Sequence, residues 1–238
     1  MPYGYGFYWL DYTYILVIIG AVICMAASAR MNSTFSRYTR VRSMSGMTGA
    51  EAAERILRGA GIHDVRVVHI RGNLTDHYDP RNKTLSLSDS VYGSVSVAAV
   101  GVAAHECGHA IQHDRGYVPL RIRGALVPVA NFGSNLAWPL IIIGLIFYGN
   151  FGSILIQVGI FMFSLAVLFQ LVTLPVEFNA SHRALKELER TGILSGGELR
   201  DTRKVLSAAA MTYVASAAAI ILQLLRLLIL YGGRRRDE

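Results

Sequence analysis

The chain has 238 residues, 53% of them hydrophobic and only 16% charged, which excludes a disordered or low-complexity protein. Lys and Arg number 23 against 16 Asp and Glu, and the net charge of +7 suits nucleic acid, an acidic membrane face or the cytoplasmic loops of a membrane protein. Two cysteines, Cys24 and Cys107, cannot build the disulfide framework of a small secreted scaffold.

In chain order, the first element is an apolar stretch from Tyr12 to Ala29, long enough to cross a bilayer, which takes about 20 residues. No basic residue precedes it, and Tyr3, Tyr5, Tyr8, Trp9, Tyr12 and Tyr14 form an interfacial aromatic belt, so residues 1–29 read as an N-terminal transmembrane anchor and not as a cleaved signal peptide. Arg30, Arg37, Arg40 and Arg42 crowd its far end. The positive-inside rule therefore puts the N-terminus outside and residues 30–124 in the cytoplasm.

A connection as long as 30–124 needs its own structure. Thr48-Gly-Ala-Glu51 fits a capping box, and Ala52, Ala53, Ile56 and Leu57 continue at helical spacing. Val65–Ile70 predicts a short strand. After the polar turn Asp79-Pro-Arg-Asn82, Lys83–Ser88 alternates with period two, Leu85 and Leu87 on one face and Thr84, Ser86 and Ser88 on the other. This strand reads as a sheet edge open to an extended substrate or as an ordinary sheet strand. A helix then starts at Asp89 or Ser90 and runs to about His113; its Ala-, Gly- and Val-rich run is too short to span and reads as buried.

Residues 125–176 read as a transmembrane hairpin, with segments 125–148 and 152–176 joined by an uncharged link, and Asn131, Ser134 and Asn135 placed for interhelical hydrogen bonds. Residues 177–204 return as a charged cytoplasmic helical segment. Residues 205–238 form a fourth transmembrane helix with a basic tail, Arg234 to Arg236, which this topology puts outside against the charge rule. Ala208–Ala210 and Ser216–Ala219 suit a packed inner helix, and Arg226 either snorkels or faces the bundle. The expected fold is a mainly α membrane protein, four transmembrane helices with a small α+β domain between the first and second.

The chemistry sits at the end of the buried helix. His105-Glu106-Cys107-Gly108-His109 is an H-E-x-x-H, whose two histidines lie on one helical face about 6 Å apart along the axis and reach one zinc ion. Glu106, about 100° round the helix, is placed to take a proton from water and pass it to a leaving amine. His113 is about 12 Å along the axis from His105, too far to share the ion, and reads as a polar neighbour. Cys107 points away. The better third ligand is Glu177 in Pro175-Val-Glu-Phe-Asn-Ala-Ser181, where the hairpin returns after a proline break to the histidines' side; two His and one Glu form a known catalytic zinc set.

Ala104–His113, followed by Leu174-Pro-Val-Glu-Phe-Asn-Ala-Ser-His-Arg-Ala184, resembles the bacterial YugP-type membrane zinc metallopeptidases, with Met47–Glu51 and His77–Asn82 extending the likeness over nearly the whole chain. HtpX-like and CAAX-processing membrane proteases are similar at a greater distance. The resemblance implies Zn2+ on His105, His109 and Glu177, Glu106 as base, and a multi-pass protein of the bacterial inner membrane. In the distant relatives Asp stands where this chain has Ser181, so Ser181 or Asn179 must supply the hydrogen bond to a zinc-bound histidine. His182 and Arg183 are candidates for stabilising the oxyanion.

The function expected is that of a membrane-integral zinc endopeptidase with a cytoplasm-facing site, a zincin-like catalytic domain and a polypeptide substrate. Its partners are the lipid bilayer and a membrane protein or peptide, with no nucleic acid. The alternative is a non-catalytic membrane scaffold with a structural or vestigial zinc site.

Overall fold

The computed structural model describes residues 11–147 and 149–234. The aromatic residues from Tyr3 to Trp9 and the tail beyond Arg234 lie outside the described residues. The elements are α1 (Tyr14–Tyr38), α2 (Gly49–Gly59), β1 (Arg66–His69), β2 (His77–Asp79), β3 (Thr84–Leu87), α3 (Val97–Asp114), α4 (Val118–Ile146), α5 (Asn150–Arg190) and α6 (Gly196–Arg234). Four of these, α1, α4, α5 and α6, are long and apolar enough to cross a membrane. The chain divides into two compact units, one from residues 1–26, 125–171 and 214–238, the other from 27–124 and 172–213.

The first unit is built from apolar helix. Ala137, Ile141, Ile156, Ile160, Phe163, Val167 and Leu227 form its core. Outward-facing Ile15, Ile18, Phe132, Ile142 and Phe161 remain exposed, as lipid-facing positions require. Glycine sets the helix spacing. A Cβ on Gly133 would come within 2.7 Å of the Met162 carbonyl oxygen, and one on Gly159 within 2.9 Å of that of Ala137. A Cβ on Gly20 of α1 would lie 3.1 Å from Ala219, in keeping with α6 as a closely packed helix. Asn131, Ser134 and Asn135, expected to bond across helices, make no side-chain hydrogen bond among the described residues; the glycine contacts hold this hairpin instead. Arg226 faces inward, its guanidinium 4.0 Å over the Tyr14 ring and 3.3 Å from Asp11. Asp11 before α1 and the end of α6 therefore lie on one side of this unit.

The second unit carries a separate core. The capping box forms as expected: the Thr48 hydroxyl accepts from the Glu51 N–H and Glu51 accepts from the Thr48 N–H. In the sheet the order is β1-β3-β2, with β3 parallel to β1 and antiparallel to β2. This corrects the edge-strand expectation for Lys83–Ser88. β3 is the middle strand, paired on both sides, and no substrate can add to it. β1 and β2, the latter just ahead of the polar turn, form the two edges of this sheet instead. Both faces of β3 are covered, so Ser86 and Ser88 are buried with Leu85 and Leu87; Ser88 donates its hydroxyl to Asp76 at 2.9 Å.

The zinc-motif helix starts later than expected. Asp89 spends its carboxylate on the Gly72 N–H and on His69, residues 89–93 form turns, and Ser96 bridges to Arg42. Ser96 then caps α3 by accepting from the Ala99 N–H at 3.1 Å. From Val97 to Ala104 the helix is almost wholly buried, as its Ala- and Val-rich run predicts. The expected break at Pro175 is absent too: α5 runs unbroken through it, so Glu177 and Ser181 project from one continuous helix.

Candidate metal centre

α3 sets His105 and His109 one turn apart, their rings nearly perpendicular with centroids 4.8 Å apart. α5 brings Glu177 between them: its Oε2 lies 3.3 Å from His105 Nε2 and 3.6 Å from His109 Nε2. The ligand atoms of the three residues all lie within 4.8 Å of one another. Tetrahedral ligands held at 2.0–2.1 Å are about 3.4 Å apart, so the His–Glu177 spacings of 3.3 and 3.6 Å suit zinc. Glu177 is only 2% exposed, and a carboxylate this deeply buried needs a cationic partner.

The surrounding bonds aim the rings. Gln112 donates its amide to the Val176 carbonyl at 2.8 Å and to Asn179 Oδ1 at 3.0 Å, which leaves its oxygen as the acceptor facing His109 Nδ1 at 3.0 Å. The neutral ring that a zinc ion would need then carries its hydrogen on Nδ1 and keeps its lone pair on Nε2, the nitrogen on the Glu177 side. Ser181 Oγ meets His105 Nδ1 at 3.1 Å. Arg123 Nη2 sits 3.7 Å from Glu177 Oε1, the carboxylate oxygen that faces neither histidine closely.

Electrostatics follow from this packing. Burial pushes the Glu177 carboxyl up, but the hydrogen bonds from His105 and His109 outweigh it and hold the group well below the usual carboxylate range. Burial also opposes charging of His109; bonds to Glu177 and Gln112 and the field of Glu106 win, and its pKa lies above the ordinary value. Glu106 is 8% exposed and makes no hydrogen bond or ion pair among the described residues, so its carboxylate is available to a proton. Cys107 is fully buried against α2, and burial pushes its thiol well up, which keeps it protonated and out of the metal set.

The other candidates lie elsewhere. His113 is exposed and bonds through Nδ1 to the Tyr78 hydroxyl at 2.9 Å. His182 lines a surface groove with Leu185, Lys186 and Glu189. Arg183 donates to Asn179 at 2.7 Å and lies over the Tyr117 ring, one bond beyond Gln112. Gln112, Arg123 and Tyr213, which interacts with Glu177, had no motif to mark them. Only the position of Gln112, three residues after His109, offered a signal.

The family described as "putative neutral zinc metallopeptidase" matches residues 13–232. The chain is 45% identical over 226 residues to the "putative membrane protease YugP" of Bacillus subtilis (strain 168), covering 94% of this chain and 99% of that protein. No solved structure matches.

Proposed function

Because the chain belongs to the neutral zinc metallopeptidase family, we propose that it is a membrane-integral endopeptidase that hydrolyses peptide bonds on the cytoplasmic side of the bacterial inner membrane. One observation carries the reading: a buried Glu177 oxygen shared between His105 and His109, with an uncommitted Glu106 beside them. His105, His109 and Glu177 hold the zinc. Bound there, zinc supplies a Lewis acid that polarises the scissile carbonyl and makes a nearby water acidic.

The chain's own residues do the rest. Glu106 takes the proton of the attacking water on a carboxylate oxygen and delivers it to the departing amine nitrogen. Gln112 and Ser181 keep the imidazoles turned with Nε2 inward, and Arg123 holds Glu177 by Oε1 so that Oε2 stays toward His105 and His109. The positive-inside count favours the cytoplasmic side for this centre.

The test pairs zinc analysis with cleavage of casein, or of the chain itself, by the full-length protein and by Glu106→Gln. Equal zinc with cleavage lost at least a hundred-fold supports the peptidase. Unchanged cleavage, or a wild-type protein without zinc, overturns it.

A further inference from the structure

A second feature of the metal-bearing unit has no part in the chemistry above. The C-terminal end of α1 and the N-terminal third of α6 enclose a groove of about 510 Å³, lined by Arg30, Arg37, Arg200, Arg203 and Lys204 without a single acidic residue. The neighbouring Asp201 is taken by Lys204 at 2.8 Å. Arg30, Arg200 and Arg203 are exposed and make no hydrogen bond or ion pair among the described residues.

The groove has a fixed floor. Tyr38 is 5% exposed, with its hydroxyl 3.2 Å from Lys204 Nζ and the Arg37 guanidinium 5.6 Å over its ring. Ser33, Thr34 and Ser207 add hydroxyls to the wall, which suit the oxygens of a phosphate. Beyond them the lining turns apolar at Ala208 and Met211, and Met211 is 45% exposed. The cations sit where both helices change character: the apolar run of α1 ends just before Arg30, and that of α6 begins at Val205. Like charges crowded into one groove repel, and a bound anion removes that cost.

We propose that this groove binds the phosphate headgroup of an acidic glycerophospholipid, with its glycerol and upper acyl chain against Ala208 and Met211. A phosphate alone would satisfy the arginines but leave that apolar wall uncovered; a lipid covers both, and basic pockets at the cytoplasmic ends of membrane helices have the matching chemistry. The inference is independent of the peptidase reading and of zinc.

The experiment uses the full chain, delipidated in a neutral detergent, with thermal unfolding followed against phosphatidylglycerol, phosphatidylcholine and inorganic phosphate at equal phosphorus. Phosphatidylglycerol is expected to raise the midpoint in a saturable way while the other two leave it unmoved. Arg30→Gln/Arg200→Gln/Arg203→Gln should weaken the apparent affinity at least ten-fold. The same number of charges removed from the sheet region, as Arg66→Gln/Arg71→Gln/Arg81→Gln, should change it less than two-fold. Ser207→Glu, an exposed single change that puts a carboxylate in the groove, gives a second route to the same loss if the triple variant does not fold. Equal effects of the two triple variants, stabilisation by phosphatidylcholine equal to that by phosphatidylglycerol, or full stabilisation by inorganic phosphate would each overturn the lipid assignment.

Discussion

Gly108 of α3 and Ala180 of α5 touch backbone to backbone: a Cβ placed on Gly108 would lie 2.4 Å from the Ala180 carbonyl oxygen. This crossing brings Glu177, one turn before Ala180, up to His105 and His109, so the glycine inside His-Glu-Cys-Gly-His is a condition of the third ligand. Gly108→Ala should therefore cost at least about 1–3 kcal/mol, since the obstacle is backbone that cannot rotate away. It should also weaken zinc binding. Gly124→Ala, with nothing within 4 Å of the added methyl, should be neutral or stabilise by up to about 1 kcal/mol. Thermal unfolding with a zinc-competition titration checks both.

Gln112 tests the outer bonds of the site. Gln112→Ala frees His109 Nδ1 and removes the tie from α3 to the Val176 carbonyl, and zinc affinity should fall about 10–100-fold. Ser181→Asp should strengthen it, because a carboxylate raises the basicity of His105 more than a hydroxyl does. Competition against a chromophoric chelator measures both; a Gln112→Ala protein with wild-type affinity would remove Gln112 from the account.

The pH dependence has a defined sign. In the metal-free protein the pKa of His109 is raised above the ordinary imidazole value of about 6.5, so its contribution is fully present below that pH and is lost as pH climbs through the raised value. Zinc needs the neutral ring and reverses the trend, binding more weakly as pH falls through the same range and releasing a proton when it binds. Melting curves from pH 6 to 9 with zinc and with chelator should therefore diverge as pH rises. Parallel curves would contradict the linkage.

Within the apolar unit, Arg226 and Asp11 pair across α6 and the start of α1. Arg226→Gln and Asp11→Asn should each lower the melting temperature in detergent, and the double variant should fall by less than the sum. Additive losses would show that the pair makes no net contribution.

The four apolar helices are legible in the sequence because their length and composition follow from the bilayer alone. His105, Glu106 and His109 are legible for a similar reason, since helical geometry fixes their relation without reference to the rest of the fold. Glu177 can be inferred only from chemical need, and the proline beside it misleads, because a long helix carries Pro175 without breaking. The alternation of Lys83–Ser88 shows a strand but not its place in the sheet. That place depends on His77–Asp79, three residues with no pattern of their own. Gln112 and Arg123 act through contacts between distant segments, and such contacts leave no local period.

The most direct test of the metal centre is X-ray absorption at the zinc edge on the full-length protein. One zinc per chain is expected, with two imidazoles and a carboxylate oxygen among its nearest neighbours at about 2.0–2.2 Å, and loss of that oxygen in Glu177→Ala. Sulfur scattering at about 2.3 Å, or a third imidazole with Glu177→Ala unchanged, would contradict it.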